Sequence, residues 1–310
     1  MFFLLKLTIV AVLNYLTNIL FLKKNFLLDD INSSFHKKYT SSERVPLSGG
    51  VVFIILFLFF IEHNYILKFF SIIIFLIGYF SDLKIVNSPS VRFIYQIIFV
   101  LLFVIFGDVY VSYTNLEFLD FFLSNRLFSL IFTLACLLIL INLSFDLDIL
   151  YNLIIILIVI LIFNIFNKNF IGDSGAYVIS FIVGTIIISF YNLNINMMSA
   201  LYAVVILWYP ATEILFSIIR KLFSKKNPLN PDNFHFHQLV YEFVNNKFKK
   251  SRLFSNITSA ILINFYNFLI FIISLFYFNK TNILLLIIVT NILFYITIYF
   301  ILKKKNKNYL

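Results

Sequence analysis

Long apolar runs alternate with short polar segments along nearly the whole chain. In the hydrocarbon of a bilayer every backbone amide needs an internal partner, and these runs are too continuous for the alternating pattern of an outer-membrane barrel. The pattern therefore predicts an all-α fold, namely a polytopic transmembrane helical bundle with about ten spans. The catalytic loops are expected on the cytoplasmic side, and residues 1–310 are expected to form a single domain. The predicted spans are Phe2 to Leu22, Val51 to Ile61, Ile66 to Phe80, Phe93 to Phe106, Leu127 to Leu143, Ile149 to Phe166, Tyr177 to Tyr191, Ser199 to Ile219, Ile257 to Tyr277 and Ile283 to Leu302.

The first run, Phe2 to Leu22, has the position of a secretory signal peptide. It is long, however, carries Lys6 inside it and lacks an A-x-A-like cleavage site. We therefore expect a retained membrane anchor.

Composition supports a lipid environment and limits the kinds of partner and site that the chain can have. The chain is 62% hydrophobic and only 12% charged, values that would leave a soluble domain with a very large exposed apolar surface. Its net charge of +10 comes from Lys and Arg residues that cluster between and after the apolar runs, which indicates topology and argues against nucleic acid as a partner. A single cysteine, Cys136, excludes a disulfide within the chain and suggests no thiolate metal site.

The polar segments differ in charge, and this difference predicts on which side of the membrane each segment lies. Four are basic and hold nearly every carboxylate and histidine suited to chemistry: Asn25 to Gly50, Ser81 to Arg92, Asn167 to Ala176 and Arg220 to Arg252. The segment Gly107 to Arg126 is net acidic. The basic set is expected on the cytoplasmic side and the acidic segment outside.

Two aspartates and a histidine pair are the candidate chemical groups. Asp173, in Gly172-Asp-Ser-Gly175, could bind a metal or a diphosphate at the membrane surface, but it also fits an ordinary N-capping residue. Asp82 could act with it, or could simply mark the end of a span. His235 and His237, two residues apart, would point the same way on an extended segment and could contact a phosphate or a metal, although such pairs also occur in ordinary loops.

In their order along the chain, these motifs resemble those of the bacterial polyprenyl-phosphate N-acetylhexosamine-1-phosphate transferases (glycosyltransferase family 4), which include the phospho-MurNAc-pentapeptide translocase. The resemblance runs from Arg44 to about Tyr241. Its motifs are P-x-x-G-G (Pro46, Gly49, Gly50), a G-x-x-D-D-like span end (Gly78, Ser81, Asp82) with Arg92 and Gln96, Asn142, F-x-G-D-S-G-x-Y (Phe170 to Tyr177), and P-x-x-E...R...P...D-x-x-H-x-H (Pro210, Glu213, Arg220, Pro228, Asp232, His235, His237).

The resemblance implies transfer of a sugar-1-phosphate from a UDP-N-acetylhexosamine to polyprenyl (undecaprenyl) phosphate, with release of UMP at the cytoplasmic face of the bacterial inner membrane. It implies a Mg²⁺ cofactor, with Mn²⁺ as a substitute, held by Asp173 and Asp82. Those aspartates, with His235 and His237, are the candidate catalytic residues, and the histidines would contact the phosphates of the nucleotide sugar. Arg44, Arg92, Asn142, Lys168 and Asp232 are the candidate substrate-binding residues. Membrane lipids are the other expected partners, and a homodimer is left open.

The chain departs from the family pattern in several places. The paired aspartates are Ser81-Asp82 here, the third histidine is Gln238, and an arginine is replaced by Asn233. The family segment N-x-x-D-G-x-D-G-L has no full counterpart after Asn142. The loop charges call for one additional crossing between residues 142 and 149, and the resemblance implies that the chain has lost a catalytic segment and one span at that place.

Two alternatives follow from these departures and from the apolar character of the chain. One is a degenerate, catalytically impaired family member that acts as a scaffold for glycan assembly. The other is a membrane transporter, but transporters tend to bury ionisable groups midway through spans and to contain internal repeats, whereas these carboxylates lie at span ends.

Overall fold

The computed structural model describes residues 2–30, 44–61, 64–107, 147–228 and 232–307. The predicted span Leu127 to Leu143, the acidic segment after Gly107 and the candidate Asn142 lie outside these residues, as does the proposed site of the lost segment up to residue 146. The described elements are α1 (Phe2–Lys23), β1 (Leu28–Asp30), β2 (Arg44–Pro46), α2 (Gly49–Phe60), α3 (Tyr65–Asp82), α4 (Pro89–Gly107), α5 (Leu147–Ile165), α6 (Gly172–Leu193), α7 (Ala200–Ile206), α8 (Trp208–Phe223), α9 (Phe236–Phe248), α10 (Arg252–Leu275) and α11 (Thr281–Lys307).

Within the described residues, six helices are long and apolar enough to cross a membrane, or up to seven if one bent pair counts as a span. The chain is thus a multi-pass, all-α membrane protein, but the predicted ten spans are not confirmed. The predicted span Val51 to Ile61 falls in α2, whose 12 residues rise only about 18 Å against a hydrocarbon core of roughly 30 Å. The apolar part of α5, Asn152–Ile165, is similarly short.

The predicted span Ser199 to Ile219 is broken into two helices. α7 and α8 meet at an angle of 73°. Pro210 lies in the first turn of α8, where a missing N–H costs no helical hydrogen bond. A new helix can therefore start at this point in a changed direction.

The chain divides into two compact units, whose described parts run from α1 to α6 and from α7 to α11. In the first unit, α3 packs along α6, and α2 also contacts α6. An aromatic cluster joins Phe70 and Phe103 to Phe181, with ring centroids of Phe103 and Phe181 4.7 Å apart. These contacts pack the middle of α6 against α3 and α4.

Polar side chains link the helices of the first unit. The Lys6 ammonium donates to Asn152 Oδ1 at 2.8 Å, and Asn152 Nδ2 donates to the carbonyl of Phe60 at the end of α2. Near the other end of α1, Asn169 Nδ2 donates to Asn14 Oδ1 at 2.7 Å. Such bonds between apolar helices satisfy groups that have no water to bind in hydrocarbon.

In the second unit, α9 packs against α10 and α11. Its buried face, Leu239, Val240 and Val244, meets Tyr299 and Leu302 of α11. α10 begins after Ser251, whose side chain accepts the N–H of Phe254. The packing fixes the start of α9, where both histidines lie.

Candidate functional site

Glycines bring the backbones of α2, α3 and α6 into direct contact. A Cβ added to Gly50 would lie 2.4 Å from the nitrogen of Gly175, and one added to Gly78 would lie 2.5 Å from Ser174 Cα. No side chain could fit at either contact without moving a backbone. The glycines of the P-x-x-G-G and G-D-S-G motifs therefore serve helix packing around the first turn of α6.

Asp82, the last residue of α3, caps α6 from outside that helix. Its Oδ1 accepts the backbone N–H of Asp173 at 2.8 Å, and its Oδ2 accepts that of Ser174 at 3.0 Å. These are N–H groups of the first helical turn, which have no partner within a helix. Gly172 adopts φ +69° beside the carboxylate, where a Cβ would lie 2.6 Å from Asp82 Oδ2. The capping role that the sequence left open for Asp173 thus belongs to Asp82.

Asp173 lies beside Arg92 of α4 and Ser81 of α3. Arg92 Nη1 is 2.7 Å from Asp173 Oδ2 and donates to Ser81 Oγ at 2.8 Å, and Ser81 Oγ donates to the same aspartate oxygen at 2.6 Å. The ion pair is partly accessible, because the Arg92 and Asp173 side chains keep 27% and 41% of their surface exposed. The structure brings together Asp82, Asp173 and Arg92 as predicted, and it adds Ser81.

Of the four carboxylate oxygens on the two aspartates that predict a Mg²⁺ site, three accept hydrogen bonds in the described residues, and Asp173 Oδ1 is the one that does not. Both oxygens of Asp82 accept backbone N–H groups, and Asp173 Oδ2 accepts from Arg92 and Ser81. In the part of the chain that the structure describes, no group of three or more His, Cys, Asp or Glu residues could hold a metal ion. Mg²⁺ needs carboxylate, phosphate or water oxygens that face it. A Mg²⁺ cofactor stays a prediction, because Asp82 and Asp173 do not both offer an oxygen that is free of hydrogen bonds.

The other substrate-binding candidates of the first unit lie apart from this cluster. Arg44 begins β2, Lys168 lies in the turn between α5 and α6, and both are exposed. Across the described residues, no hydrogen bond joins either one to Asp82 or Asp173. Their predicted contacts with phosphate stay predictions.

The second unit holds a network around His235. Glu213 of α8 accepts at Oε1 from His235 Nδ1 at 2.9 Å and from the N–H of Phe236 at 3.0 Å, and its Oε2 accepts from the Tyr295 hydroxyl at 2.8 Å. A carboxylate can only accept, so Nδ1 of His235 carries a hydrogen, and in the neutral form of the ring Nε2 then holds the lone pair. Glu213 thereby sets both the orientation and the tautomer of the histidine.

Asp232 pairs with Arg220, whose Nη2 is 2.7 Å from Asp232 Oδ2. Burial raises the pKa of the Asp232 carboxyl, but the hydrogen bond and charge of Arg220 outweigh it and hold the pKa below its usual value. His235 Nε2 is 3.6 Å from Asp232 Oδ1, too far for a hydrogen bond. Asp232 is therefore ionised at neutral pH and contributes negative charge beside the histidine.

The two histidine rings lie side by side, although the extended segment that the sequence predicts for them is replaced by the start of a helix. His235 has extended backbone and begins α9, His237 lies in the first turn, and their rings stack with centroids 5.7 Å apart. Gln238, which replaces the family's third histidine, accepts the backbone N–H of His235. The replacement thus secures the start of the helix.

Sequence reasoning missed the roles of Ser81 and Glu213. Ser81 was interpreted only as a departure from paired aspartates, although a hydroxyl can donate to one carboxylate and accept from a guanidinium at once. Glu213 was recognised in a motif but given no role. Its position inside an apolar run was an available signal, because ionisable residues in spans are costly and mark functional sites.

The chain is similar to the undecaprenyl-phosphate alpha-N-acetylglucosaminyl 1-phosphate transferase of Thermotoga maritima, with 35% identity over 72 residues. The match covers 23% of this chain and 23% of that protein, so the chain matches about a quarter of its relative's length. No family model and no solved structure matches the chain. The partial match points to the same class of transferase as the resemblance in the motifs. It does not identify an individual member of that class.

Proposed function

We propose that this multi-pass membrane protein transfers a sugar-1-phosphate, most simply N-acetylhexosamine-1-phosphate, from a UDP-sugar to polyprenyl phosphate at the cytoplasmic face of the membrane. An oxygen of the lipid phosphate would attack the phosphorus that carries the sugar. The bond from that phosphorus to the oxygen of the uridine-bearing phosphate breaks, and UMP leaves. The product is a polyprenyl diphosphate sugar for cell-envelope glycan synthesis.

The observation that carries the proposal is the cluster at the first turn of α6. Arg92, Asp173, Ser81 and Asp82 meet where the candidate spans α3, α4 and α6 begin or end. A lipid substrate needs a site beside spans, whereas a nucleotide sugar needs polar groups near water. The partly exposed guanidinium of Arg92 would neutralise phosphate charge there. The similarity to the Thermotoga enzyme supports the same class of reaction.

His235 and His237 are the predicted contacts for the phosphates of the nucleotide sugar. The predicted contact of these histidines with the nucleotide phosphates is compatible with the open Nε2 of His235. When the His235 ring is neutral with its hydrogen on Nδ1, Nε2 can accept a proton or a hydrogen bond from a phosphate that carries one.

The test is a membrane assay with radiolabelled UDP-N-acetylglucosamine and polyprenyl phosphate, in which label becomes extractable into organic solvent. We expect Asp173→Asn to lower transfer by roughly 100-fold or more, because it removes the charge that organises Arg92. The matched control is Glu242→Gln, which changes a carboxylate of α9 that bonds Asn306 and lies outside the cluster. Transfer by the control should stay within about twofold of wild type.

Transfer by Asp173→Asn at the wild-type rate would remove this aspartate from the site. A wild-type chain that transfers no label from UDP-N-acetylglucosamine or UDP-N-acetylgalactosamine, while the Thermotoga enzyme does so in the same membranes, would contradict the proposed function. That result would favour the scaffold role instead.

A further inference from the structure

We propose that the guanidinium of Arg92 occupies the position that a divalent cation would take at Asp173, so that this site works without a bound metal ion. The inference rests on the proposed function, because the cation concerned is the one that the resemblance implies for that reaction. It concerns only residues of the first unit.

The first support is the geometry of one oxygen atom. Asp173 Oδ2 accepts from Arg92 Nη1 at 2.7 Å and from Ser81 Oγ at 2.6 Å, and Arg92 Nη1 also lies 2.8 Å from that hydroxyl. A cation approaching this oxygen would have to displace both donors. Arginine is always protonated, so no pH in the working range removes its charge.

The second support is the identity of residue 81. The family pattern has an aspartate where this chain has Ser81, which lies within hydrogen-bond distance of Asp173. Two carboxylates so close cannot both ionise without a compensating cation. A hydroxyl adds no charge, so the single charge of Asp173 is matched by the single charge of Arg92.

The third support is that hydrogen bonds already occupy both oxygens of Asp82. They accept the N–H groups of Asp173 and Ser174 at the start of α6. These N–H groups have no partner within the helix, so a cation at Asp82 would have to compete with them. Asp82 therefore offers a metal ion no oxygen that is free of a hydrogen bond.

Mn²⁺ binding to the purified chain, measured by electron paramagnetic resonance, tests the inference. Wild type and Asp173→Asn should bind Mn²⁺ equally weakly, within about twofold. The double variant Ser81→Asp with Arg92→Gln should bind Mn²⁺ on the order of tenfold more tightly than wild type, because it creates a carboxylate pair without the competing guanidinium. Adding Asp173→Asn to the double variant should abolish the gain.

A wild-type Mn²⁺ site that disappears in Asp173→Asn would overturn the inference, and this comparison needs no other variant to fold. Transfer of the radiolabelled sugar that persists in EDTA would support it, whereas transfer that requires Mg²⁺ would overturn it and leave the proposed function standing. If no condition gives transfer, the proposed function fails, and the Mn²⁺ titration decides the inference alone.

Discussion

At the scale of the residue, Glu213 shows how one carboxylate can determine the chemistry of another side chain. It accepts from three donors, His235 Nδ1, the N–H of Phe236 and the Tyr295 hydroxyl. A glutamine offers one accepting oxygen and one donating nitrogen. A Glu213→Gln variant can keep its oxygen on His235 and Phe236 and turn its nitrogen to the Tyr295 hydroxyl, which then accepts. Glu213→Leu removes every one of these acceptors, so His235 is free to place its hydrogen on Nε2.

We expect Glu213→Leu to lower kcat for sugar-phosphate transfer by about 10- to 100-fold, as removal of a group that orients an active histidine does in metal sites. Nitrogen-15 NMR of labelled histidine would report the tautomer separately from activity. Tyr295→Phe is the control, since it removes one bond to Glu213 but leaves the contact with His235. An unchanged tautomer in Glu213→Leu would contradict the positioning role.

Asp232 gives a prediction about pH. Burial raises its pKa, but Arg220 outweighs burial and lowers the pKa below the ordinary 3.8. A carboxyl with a lower pKa in the folded state contributes stability above its unfolded pKa and loses it as the pH falls through the folded value. The melting temperature of wild type should therefore fall more between pH 6 and pH 3 than that of Asp232→Asn. The fluorescence of Trp208, the single tryptophan, measures unfolding in the same unit, and equal pH dependence would contradict the pairing.

At the scale of the element, the glycine contacts set the distance between α3 and α6. A methyl group on Gly78 would lie 2.5 Å from Ser174 Cα and 2.6 Å from the Asp173 carbonyl oxygen, and neither backbone atom can rotate away. We expect Gly78→Ala to cost about 1–3 kcal/mol and to lengthen the bonds from α6 to Asp82. Gly107→Ala, at the end of α4, is the control because the nearest atoms to its methyl would belong to the side chain of Phe103, the closest at 3.0 Å.

Thermal unfolding and sugar-phosphate transfer would measure both effects. Gly78→Ala should lower the melting temperature and the activity, whereas Gly107→Ala should change the melting temperature far less. Equal melting temperatures for the two variants would show that α3 and α6 tolerate a wider spacing.

Hydropathy predicts the long helices well, but it does not predict where helices bend or how they pack together. α1, α3, α4, α6, α10 and α11 each cover a predicted span, because length and apolar character alone identify such helices. The bend between α7 and α8 was missed, since both pieces are apolar. The capping of α6 by Asp82 could not be predicted either, because the pattern along one chain does not specify which residue 91 positions away will lie beside Asp173.

At the scale of the whole molecule, the basic segments predict which ends face the cytoplasm. In a Cys136→Ser background, single cysteines at the exposed positions Lys168, Ser224 and Asn279 can be labelled with a membrane-impermeant maleimide. We expect Lys168 and Ser224 to react only from the cytoplasmic side, and Asn279, between α10 and α11, only from outside. External reaction at Ser224 would contradict the predicted topology.

The bond between Lys6 and Asn152 has a consequence for biosynthesis. The two residues are 146 positions apart, so the ribosome must synthesise nearly half of the chain before the ammonium of α1 can meet its amide. Until α5 is made, α1 inserts without this bond, although a lysine inside a segment disfavours insertion by about 2.5–3.5 kcal/mol at the bilayer centre. The bond can therefore stabilise α1 only after that helix has entered the membrane. A chain released before α5 is complete lacks this link between α1 and α5.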